Sequence, residues 1–283
     1  MLLLKCEESL LLLRKELESH IPLSLKVYGA MLKILQGNPF HQEILVDSWP
    51  NFNAVLVRPQ KKGETSSSDT YMNSYVYFFK DPTSVPGSFI EAIDWTQAFE
   101  VQGLQCFLGE ILLDAANVRH TSTEMTTLIT FCQDKETHIS IPNPSRGKEA
   151  EIASLTLSHA ELVDKTWAFG GSDCSLQYVR ACITNSPSRC CLTQYSERAI
   201  SWALTDQYWA IRMAYTLPEY RGKGYAKCIV SSLADLLRQD GRPVYCHVEE
   251  DNEPSKALFR SLGFKEVTSD KLLWFHSTPD AKQ

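Results

Sequence analysis

The sequence lacks long apolar runs, an excess of positive charge and the residue spacing of a metal site. Charged side chains interrupt the leucine-rich stretches at residues 2–4 and 10–13, which fall far short of the ~20 apolar residues of a membrane span. The formal net charge of −6 argues against nucleic acid as the main partner, because phosphate backbones require clustered cations. Seven scattered histidines and nine cysteines without C-x-x-C spacing suggest no zinc site. We therefore expect no membrane span, no nucleic-acid partner and no bound metal.

The cysteines and the N-terminal segment bear on the compartment. An odd number of cysteines without paired spacing favours a reduced, intracellular protein. Leu3, Leu10, Leu13 and Leu17 predict an amphipathic helix packed on a core. The first 18 residues include four acidic ones, which transit peptides avoid. We expect an intracellular monomer, and this segment by itself shows no mitochondrial address.

Composition and turn residues predict the domain organisation. A chain of 283 residues with 43% hydrophobic content can bury one large core or two ordinary ones. A polar stretch with Pro142, Pro144 and Gly147 predicts a linker at residues 136–151, between an N-terminal domain at 1–135 and a C-terminal domain at 152–283. The predicted strands lie at residues 27–35, 53–58, 71–79, 190–193 and 200–205, and the predicted helices at 160–167 and 175–183.

Residues 207–264 form the most informative segment. A strand predicted at 208–217 leads directly into the loop Pro218-Glu219-Tyr220-Arg221-Gly222-Lys223-Gly224-Tyr225-Ala226. Apolar residues then recur with a helical period until Gly241 and Pro243, and a second strand is predicted at 244–248. A short helix follows, with Asp251 or Asn252 as its cap and Gly263 at its end.

The loop has the composition of a phosphate-binding element. A helix start has up to four backbone N–H groups without intrahelical partners, and the helix dipole places partial positive charge there. Gly222 and Gly224 lack Cβ atoms, so that an anion can approach the backbone, and Arg221 and Lys223 add two cations. The loop lacks the Lys-Ser/Thr pair of a Walker loop and the spacing of G-x-G-x-x-G. The alternative is a turn with solvated basic side chains.

These residues carry a resemblance to a known fold. Arg221-x-x-Gly224-x-Ala226 resembles the Q/R-x-x-G-x-G/A acetyl-CoA motif of the GCN5-related N-acyltransferase fold. Asn252, with Ser255, Leu258 and Leu262-Gly263-Phe264, is similar to the next motif of that fold.

Other segments resemble one branch of the fold, the vertebrate glycine N-acyltransferases and their paralogues. The segments that carry this likeness are Ser24-Leu25-Lys26-Val27-Tyr28-Gly29, Gly37-Asn38-Pro39-Phe40, Val46-Asp47-Ser48-Trp49-Pro50, Arg58-Pro59-Gln60, Gln102-Gly103-Leu104-Gln105, Trp167-Ala168-Phe169-Gly170 and Tyr215-Thr216-Leu217-Pro218-Glu219-Tyr220-Arg221. The likeness is patchy but spans most of the chain, which is identified as a member of this family.

The resemblance implies a fold and a reaction. The implied fold class is α/β (α+β), with a mixed central sheet flanked by helices and two tandem related halves, the first without a phosphate loop. The implied reaction transfers an acyl group from acyl-CoA, as co-substrate, to glycine, giving N-acylglycine and CoA. The residues expected to bind the cofactor are Thr216, Leu217, Arg221, Gly222, Lys223, Gly224, Tyr225, Ala226, Asn252 and Ser255.

Proton transfer is where the sequence departs from the family. Ala210 stands where archetypal members have a glutamate base, and Phe259 stands where many members of the fold have a tyrosine that protonates the departing thiolate. In this fold the strand at 244–248 splays from its neighbour and admits the acyl-pantetheine arm. We therefore expect His247 as the base, with Glu249 acting through water as second choice; the alternatives are a packed sheet histidine and a solvated loop carboxylate.

One further residue and two other functions remain open. The guanidinium of Arg212 suits the carboxylate of an amino-acid acceptor, although an ion pair within the protein is the alternative. Acylation of another amino acid or of a protein amine is a second possible function. A non-catalytic acyl-CoA-binding protein is a third, because Ala210 and Phe259 cannot transfer protons.

Overall fold

The computed structural model describes residues 1–60, 69–81, 83, 85–134, 150–193 and 198–280, which form two compact units. Unit 1 comprises Met1–Ile129 and Val267–Gln283, and unit 2 comprises Thr130–Glu266. The predicted linker lies outside the described residues except for Ala150 and Glu151, which belong to a strand of unit 2. The units divide the chain at other positions than the predicted domains, because most of the C-terminal strand pairs within unit 1.

The elements follow one order twice along the chain: strand, two helices, three strands, helix, strand, helix, strand. The first series is β1 (Leu2–Leu4), α1 (Glu7–Glu18), α2 (Leu25–Leu35), β2 (Gln42–Val46), β3 (Ala54–Pro59), β4 (Ser74–Phe79), α3 (Gly87–Ile90), β5 (Phe99–Gln105), α4 (Phe107–Val118) and β6 (Thr121–Cys132). The second is β7 (Ala150–Ala153), α5 (Ala160–Thr166), α6 (Asp173–Asn185), β8 (Ser188–Thr193), β9 (Ala199–Thr205), β10 (Ile211–Thr216), α7 (Tyr225–Gln239), β11 (Tyr245–Glu249), α8 (Glu253–Ser261) and β12 (Lys265–Pro279). This repetition agrees with the predicted tandem halves.

The strands form mixed sheets. In unit 1 the order is β1-β2-β3-β4-β5-β12-β6, with β4 and β5 parallel and β5 and β12 antiparallel. In unit 2 the order is β10-β9-β8-β7, all antiparallel, and β11 lies beside the last residues of β6, which belong to this unit. Strands β10 and β11 are consecutive in unit 2, yet they are not hydrogen-bonded neighbours within the described residues.

Two N-terminal predictions were wrong. Residues 27–35 were expected as a strand but belong to helix α2, which buries nine of its eleven residues. A short continuous apolar run reads alike for a buried strand and a buried helix, so the pattern could not separate them. Leu3 lies in strand β1, whereas Leu10, Leu13 and Leu17 occupy the buried face of α1 as predicted. The other predicted elements are present, with ends shifted by a few residues.

In unit 1 the side chain of Gln105 joins β5 to β4 by hydrogen bonds where the backbone pairing of the two strands has ended. Backbone pairing joins Ser74 to Glu100 and Tyr75 to Val101 at the start of the two strands. At the other end the carboxamide of Gln105 bridges to Phe79: the Phe79 N–H donates to Gln105 Oε1 at 2.9 Å, and Gln105 Nε2 donates to the Phe79 carbonyl at 3.4 Å. The Gln105 side chain therefore takes the place of a strand partner for Phe79.

This bridge predicts a cost for removing the carboxamide. Gln105→Ala leaves the N–H and the carbonyl of Phe79 without these bonds, and we expect the free energy of unfolding to fall by about 2 kcal/mol. Denaturant unfolding of the purified protein measures the change. Gln36→Ala replaces an exposed glutamine and should have almost no effect. Equal stability of the two variants would contradict the bridging role.

Candidate active site

The loop between β10 and α7 has the geometry of an anion site. Its backbone leaves the sheet after the Leu217 N–H donates to the Ile200 carbonyl at 2.9 Å, and a 3₁₀ turn at Pro218–Tyr220 follows. Gly222 and Gly224 have φ of +74° and +85°, a region that glycine enters without strain. Gly224 caps helix α7, whose axis starts at Tyr225 as the motif predicted.

Open space lies beside the two glycines at the start of α7. The first backbone bond of the helix runs from the Cys228 N–H to the Gly224 carbonyl at 3.1 Å, so the amides before it have no acceptor within the helix. A Cβ atom built on Gly222 or Gly224 would meet no heavy atom within 4 Å. The loop therefore offers backbone donors and room for a bulky anion.

The loop's basic side chains lie against aromatic rings. Arg221 Nε donates to the Thr216 carbonyl at 3.1 Å, and its guanidinium carbon lies 5.3 Å from the ring centroid of Tyr215. Lys223 Nζ lies 5.3 Å from the ring centroid of Tyr220. Both residues are exposed, so their charges are held at the loop surface.

The other predicted cofactor residues divide into exposed and buried ones. Thr216 and Leu217 are buried, and the Thr216 hydroxyl lies 2.8 Å from the Ser201 hydroxyl on β9. Tyr225 is buried and Ala226 is half-buried in the first turn of α7. Asn252 is exposed and caps α8, where its Oδ1 accepts the N–H of the half-buried Ser255 at 3.1 Å. The predicted capping role of Asn252 is thus confirmed.

Strand β10 has an irregular stretch. We refer to the interval between strands β10 and β11, which are unpaired in the described part of the chain, as the gap. The pairing of β10 with β9 shifts register between Arg212 and Tyr215, and Met213 has φ of +52°. A bulge of this kind interrupts the ladder and turns backbone groups away from the neighbouring strand. The regular pairing of β10 with β9 is therefore interrupted at Met213 and Ala214.

Strand β11 brings His247 next to two hydroxyl-bearing side chains. His247 is half-buried, and its Nδ1 lies 3.1 Å from Thr130 Oγ1 on β6. The rings of His247 and Tyr245 meet edge to face with centroids 5.5 Å apart. The Tyr245 hydroxyl donates to the Tyr208 carbonyl at 2.5 Å, and burial, with Asp206 nearby, holds the pKa of Tyr245 well above its ordinary value. Glu249 is half-buried at the end of β11.

A buried aspartate sets the start of β10. Asp206 Oδ1 accepts the N–H groups of Tyr208 and Ala210 at 2.8 and 2.9 Å, and the Asp206 N–H donates to the Ala210 carbonyl at 3.0 Å. Residues 208–210 therefore form a turn, and the predicted strand begins only at Ile211, which corrects the expected strand at 208–217. An aspartate at the end of a strand is a turn signal that could have revealed this.

Arg212 is enclosed by the protein. Its side chain is 13% exposed, Nη1 lies 3.9 Å from Asp206 Oδ2, and the guanidinium carbon lies 5.2 Å from the Trp167 ring centroid. Nη1 also donates to the Tyr178 hydroxyl at 3.4 Å. These contacts match the internal ion pair that was the alternative to binding a substrate carboxylate.

Ala210 and Phe259, the two departures from the family pattern, carry no group that could transfer a proton. Ala210 is buried in the Asp206 turn, and Phe259 is buried against Phe131 and Phe264, with ring centroids 6.2 and 5.0 Å away.

Thr130 is a residue that the sequence analysis missed. Nothing in the sequence linked it to His247, 117 residues away.

The described residues contain neither a cluster of metal ligands nor a helix suited to a membrane. Across the described ranges, no group of three or more His, Cys, Asp or Glu residues could hold a metal ion. No helix in the same ranges has the length and apolar character needed to cross a membrane.

Comparison with known proteins identifies the family. Residues 1–187 match the family described as aralkyl acyl-CoA:amino acid N-acyltransferase, and residues 190–278 match its C-terminal region. The chain belongs to this family. It is 35% identical to human glycine N-acyltransferase over 280 residues, which cover 93% of this chain and 94% of the relative. It is 33% identical to rat glycine N-acyltransferase-like protein Keg1 over 281 residues, which cover 93% and 95%.

Solved structures of low sequence identity show the fold of this family member. A Drosophila protein superposes with a TM-score of 0.81 at 15% identity, over 99% of both chains. A tandem GNAT protein from the clavulanic acid biosynthesis pathway superposes with a TM-score of 0.50 at 13% identity, over 100% of this chain and 99% of its own. The predicted GCN5-related N-acyltransferase fold is confirmed.

The Asp206 turn gives a stability prediction. Asp206→Ala removes the acceptor of two buried N–H groups and a charged neighbour of Arg212, so we expect a loss of about 3–5 kcal/mol in unfolding free energy. Thermal or denaturant unfolding measures the loss. Asp251→Ala changes an exposed aspartate of the β11–α8 turn and should be nearly neutral. A small effect at position 206 would show that the turn does not depend on this carboxylate.

Proposed function

We propose that this protein transfers an acyl group from acyl-CoA to the amine of glycine, giving N-acylglycine and CoA. The observation that carries the proposal is the glycine loop at the start of α7, where two glycines with positive φ border open space next to helix-start amides. Membership of the aralkyl acyl-CoA:amino acid N-acyltransferase family supports the same reaction class.

The loop binds the diphosphate of CoA through main-chain amides. A hydrogen bond to a charged group contributes ~1.5–3 kcal/mol, so three or four amides suffice to anchor a diphosphate. The helix dipole and the exposed charges of Arg221 and Lys223 add attraction without occupying the space above the glycines. Asn252 and Ser255, at the start of α8, contact the pantetheine arm in this proposal.

The acyl-pantetheine arm lies in the gap between β10 and β11. Because the two strands are not paired there, amide groups of the arm can bond to the free edge of β10 as a strand would. The bulge at Met213 and Ala214 supplies backbone polar groups beside the thioester, where an N–H polarises its carbonyl.

Transfer occurs by direct attack. The neutral amine nitrogen bonds to the thioester carbon, the carbon–sulfur bond breaks with its electrons on sulfur, and the amine proton passes to His247 and then to the CoA thiolate. Holding the amine neutral near pH 7.4 costs on the order of 4 kcal/mol, whereas positioning supplies ~7–11 kcal/mol. A covalent route through Cys132 is disfavoured, because burial and the charge of Asp134 raise its pKa to about 12.

The other proposed site residues have unequal support. Glu249 is the second candidate base, at the end of the strand that carries His247. Arg212 as a ligand of the acceptor carboxylate is the weaker proposal, because Asp206 and Tyr178 already contact its guanidinium. We propose a monomer in a reducing mitochondrial or cytoplasmic compartment, in keeping with cysteines that are not joined by disulfides in the described residues.

A non-catalytic acyl-CoA-binding role is the second candidate function. Ala210 and Phe259 favour it, since neither side chain can exchange a proton. Thiol release from several acyl-CoAs, measured with and without glycine, separates the two functions. Replacing glycine with glutamine, lysine or a peptide tests other acceptors.

The glycine loop yields a matched pair of variants. Gly224→Ala adds a Cβ where the diphosphate would lie, and we expect the Kd for CoA to rise at least tenfold in isothermal titration. Gly241→Ala, at the other end of α7, imposes similar strain, because φ is +65° there and +85° at Gly224 and both sites are open. Unchanged CoA affinity in the Gly224 variant would remove the basis of the proposed function.

The base yields a kinetic prediction. His247→Gln should lower kcat/KM by about 100-fold and abolish the fall in activity that protonation of a histidine base causes at low pH. CoA affinity should not change. His276→Gln, which replaces a half-buried histidine of unit 1, should leave the pH profile intact. An unaltered profile in the His247 variant would eliminate His247 as the base and direct attention to Glu249.

A further inference from the structure

The end of strand β6 places Thr130 opposite His247. The Gln133 N–H donates to the Val244 carbonyl at 3.0 Å, and Thr130 and His247 lie three residues away from that bond in opposite directions along the chain. This is the register of antiparallel neighbours, in which opposed side chains project from the same face. The two side chains meet, with Thr130 Oγ1 3.1 Å from His247 Nδ1.

The burial of Thr130 makes this contact persistent. Thr130 is 2% exposed, so water does not compete for the hydroxyl. The face also carries Tyr245, whose ring packs edge to face against His247 and whose hydroxyl is committed to the Tyr208 carbonyl. The imidazole is thus held by a ring on one side and a hydroxyl at Nδ1.

A bond at Nδ1 decides what the other ring nitrogen can do. A neutral imidazole has one N–H donor and one acceptor nitrogen, and the partner of one nitrogen selects the tautomer. If Nδ1–H donates to Thr130 Oγ1, Nε2 keeps its lone pair. If the threonine hydroxyl donates to Nδ1 instead, Nε2 carries the proton and cannot accept one from an amine.

We propose that Thr130 is a positioning residue whose hydroxyl accepts the Nδ1 proton of His247 and so leaves Nε2 as the nitrogen that takes the proton of the acceptor amine. The inference rests on the proposed acyl transfer and adds to it a residue outside every motif of the chain. A hydroxyl partner orients the ring without adding the negative charge that a carboxylate partner would bring.

Titratable groups lie near His247 on both strands. Tyr245 on β11 and Cys132 on β6 have raised pKa values through burial, so both stay neutral around pH 7. Glu249 lies two residues along β11 from His247, and Asp206, which pairs with Arg212, lies near Tyr245. Glu249 is therefore the carboxylate nearest to His247 along β11.

The test compares three variants in the full-length protein. Thr130→Val removes the hydroxyl and keeps the β-branched shape, and Thr130→Ser keeps the hydroxyl. Thr127→Val is the matched control, because it lies on the same strand with its side chain on the opposite face. Nitrogen-15 NMR of labelled histidine, assigned with His247→Gln, reports the tautomer. Acyl transfer from benzoyl-CoA to glycine gives kcat/KM against pH, and titration gives the Kd for CoA.

We expect the Nδ1–H tautomer in the wild-type protein and in Thr130→Ser. Thr130→Val should mix the tautomers and lower kcat/KM about tenfold, the effect of one hydrogen bond, with an unchanged Kd for CoA. Thr127→Val should match the wild-type protein in all three measurements. Comparable thermal unfolding of the two valine variants excludes a general loss of structure.

Two results would overturn the inference: the Nε2–H tautomer in the wild-type protein, or a Thr130→Val variant with wild-type tautomer and rate. Absence of acyl transfer by the wild-type protein would overturn the proposed function instead. In that case the NMR measurement would still decide whether Thr130 sets the tautomer of His247.

Discussion

The separation of β10 from β11 is the constraint on which the site depends. Strands in this order along the chain are expected to pair, as β4 and β5 do in unit 1. There, the carboxamide of Gln105 bonds to the backbone of Phe79 and satisfies the strand where pairing ends. In unit 2 the corresponding strands β10 and β11 are not paired within the described residues, and the pairing of β10 with β9 is interrupted by the bulge at Met213. Within the described residues, the repeated order of elements therefore does not reproduce in unit 1 the open junction of unit 2.

The proposed diphosphate site at the start of α7 reconciles a net charge of −6 with a polyanionic ligand. The attraction is local: helix-start amides act at hydrogen-bond range, while distant acidic groups are screened beyond ~8–10 Å at physiological ionic strength. Arg221 is tied to the Thr216 carbonyl, so its charge stays at the end of β10 and the space over the glycines remains open. Net charge thus limits the class of partner without describing the site.

Sequence reasoning succeeded where the relevant physics is local. Glycines before an amphipathic run set the loop and α7, and Asn252 with Pro254 set the start of α8, because caps and turns are decided within a few residues. It failed where tertiary context decides. The apolar run of α2 fits a strand or a helix equally well. The Asp206 carboxylate accepts two backbone N–H groups and forms a turn where the sequence predicted a continuous strand. The contact between Thr130 and His247 joins residues 117 positions apart, and no spacing rule reaches that far.

The loss of a glutamate at position 210 becomes less surprising when the energies of the reaction are compared. Positioning an amine against a thioester supplies ~7–11 kcal/mol, roughly twice the ~4 kcal/mol needed to hold the amine neutral. A base of moderate strength is then sufficient, provided that its lone pair points at the amine. Histidine matches that requirement near pH 7, and its orientation matters more than its charge environment. The buried Thr130 hydroxyl can supply that orientation. Ala210 has a different role, because its N–H bonds to Asp206 in the turn that precedes β10.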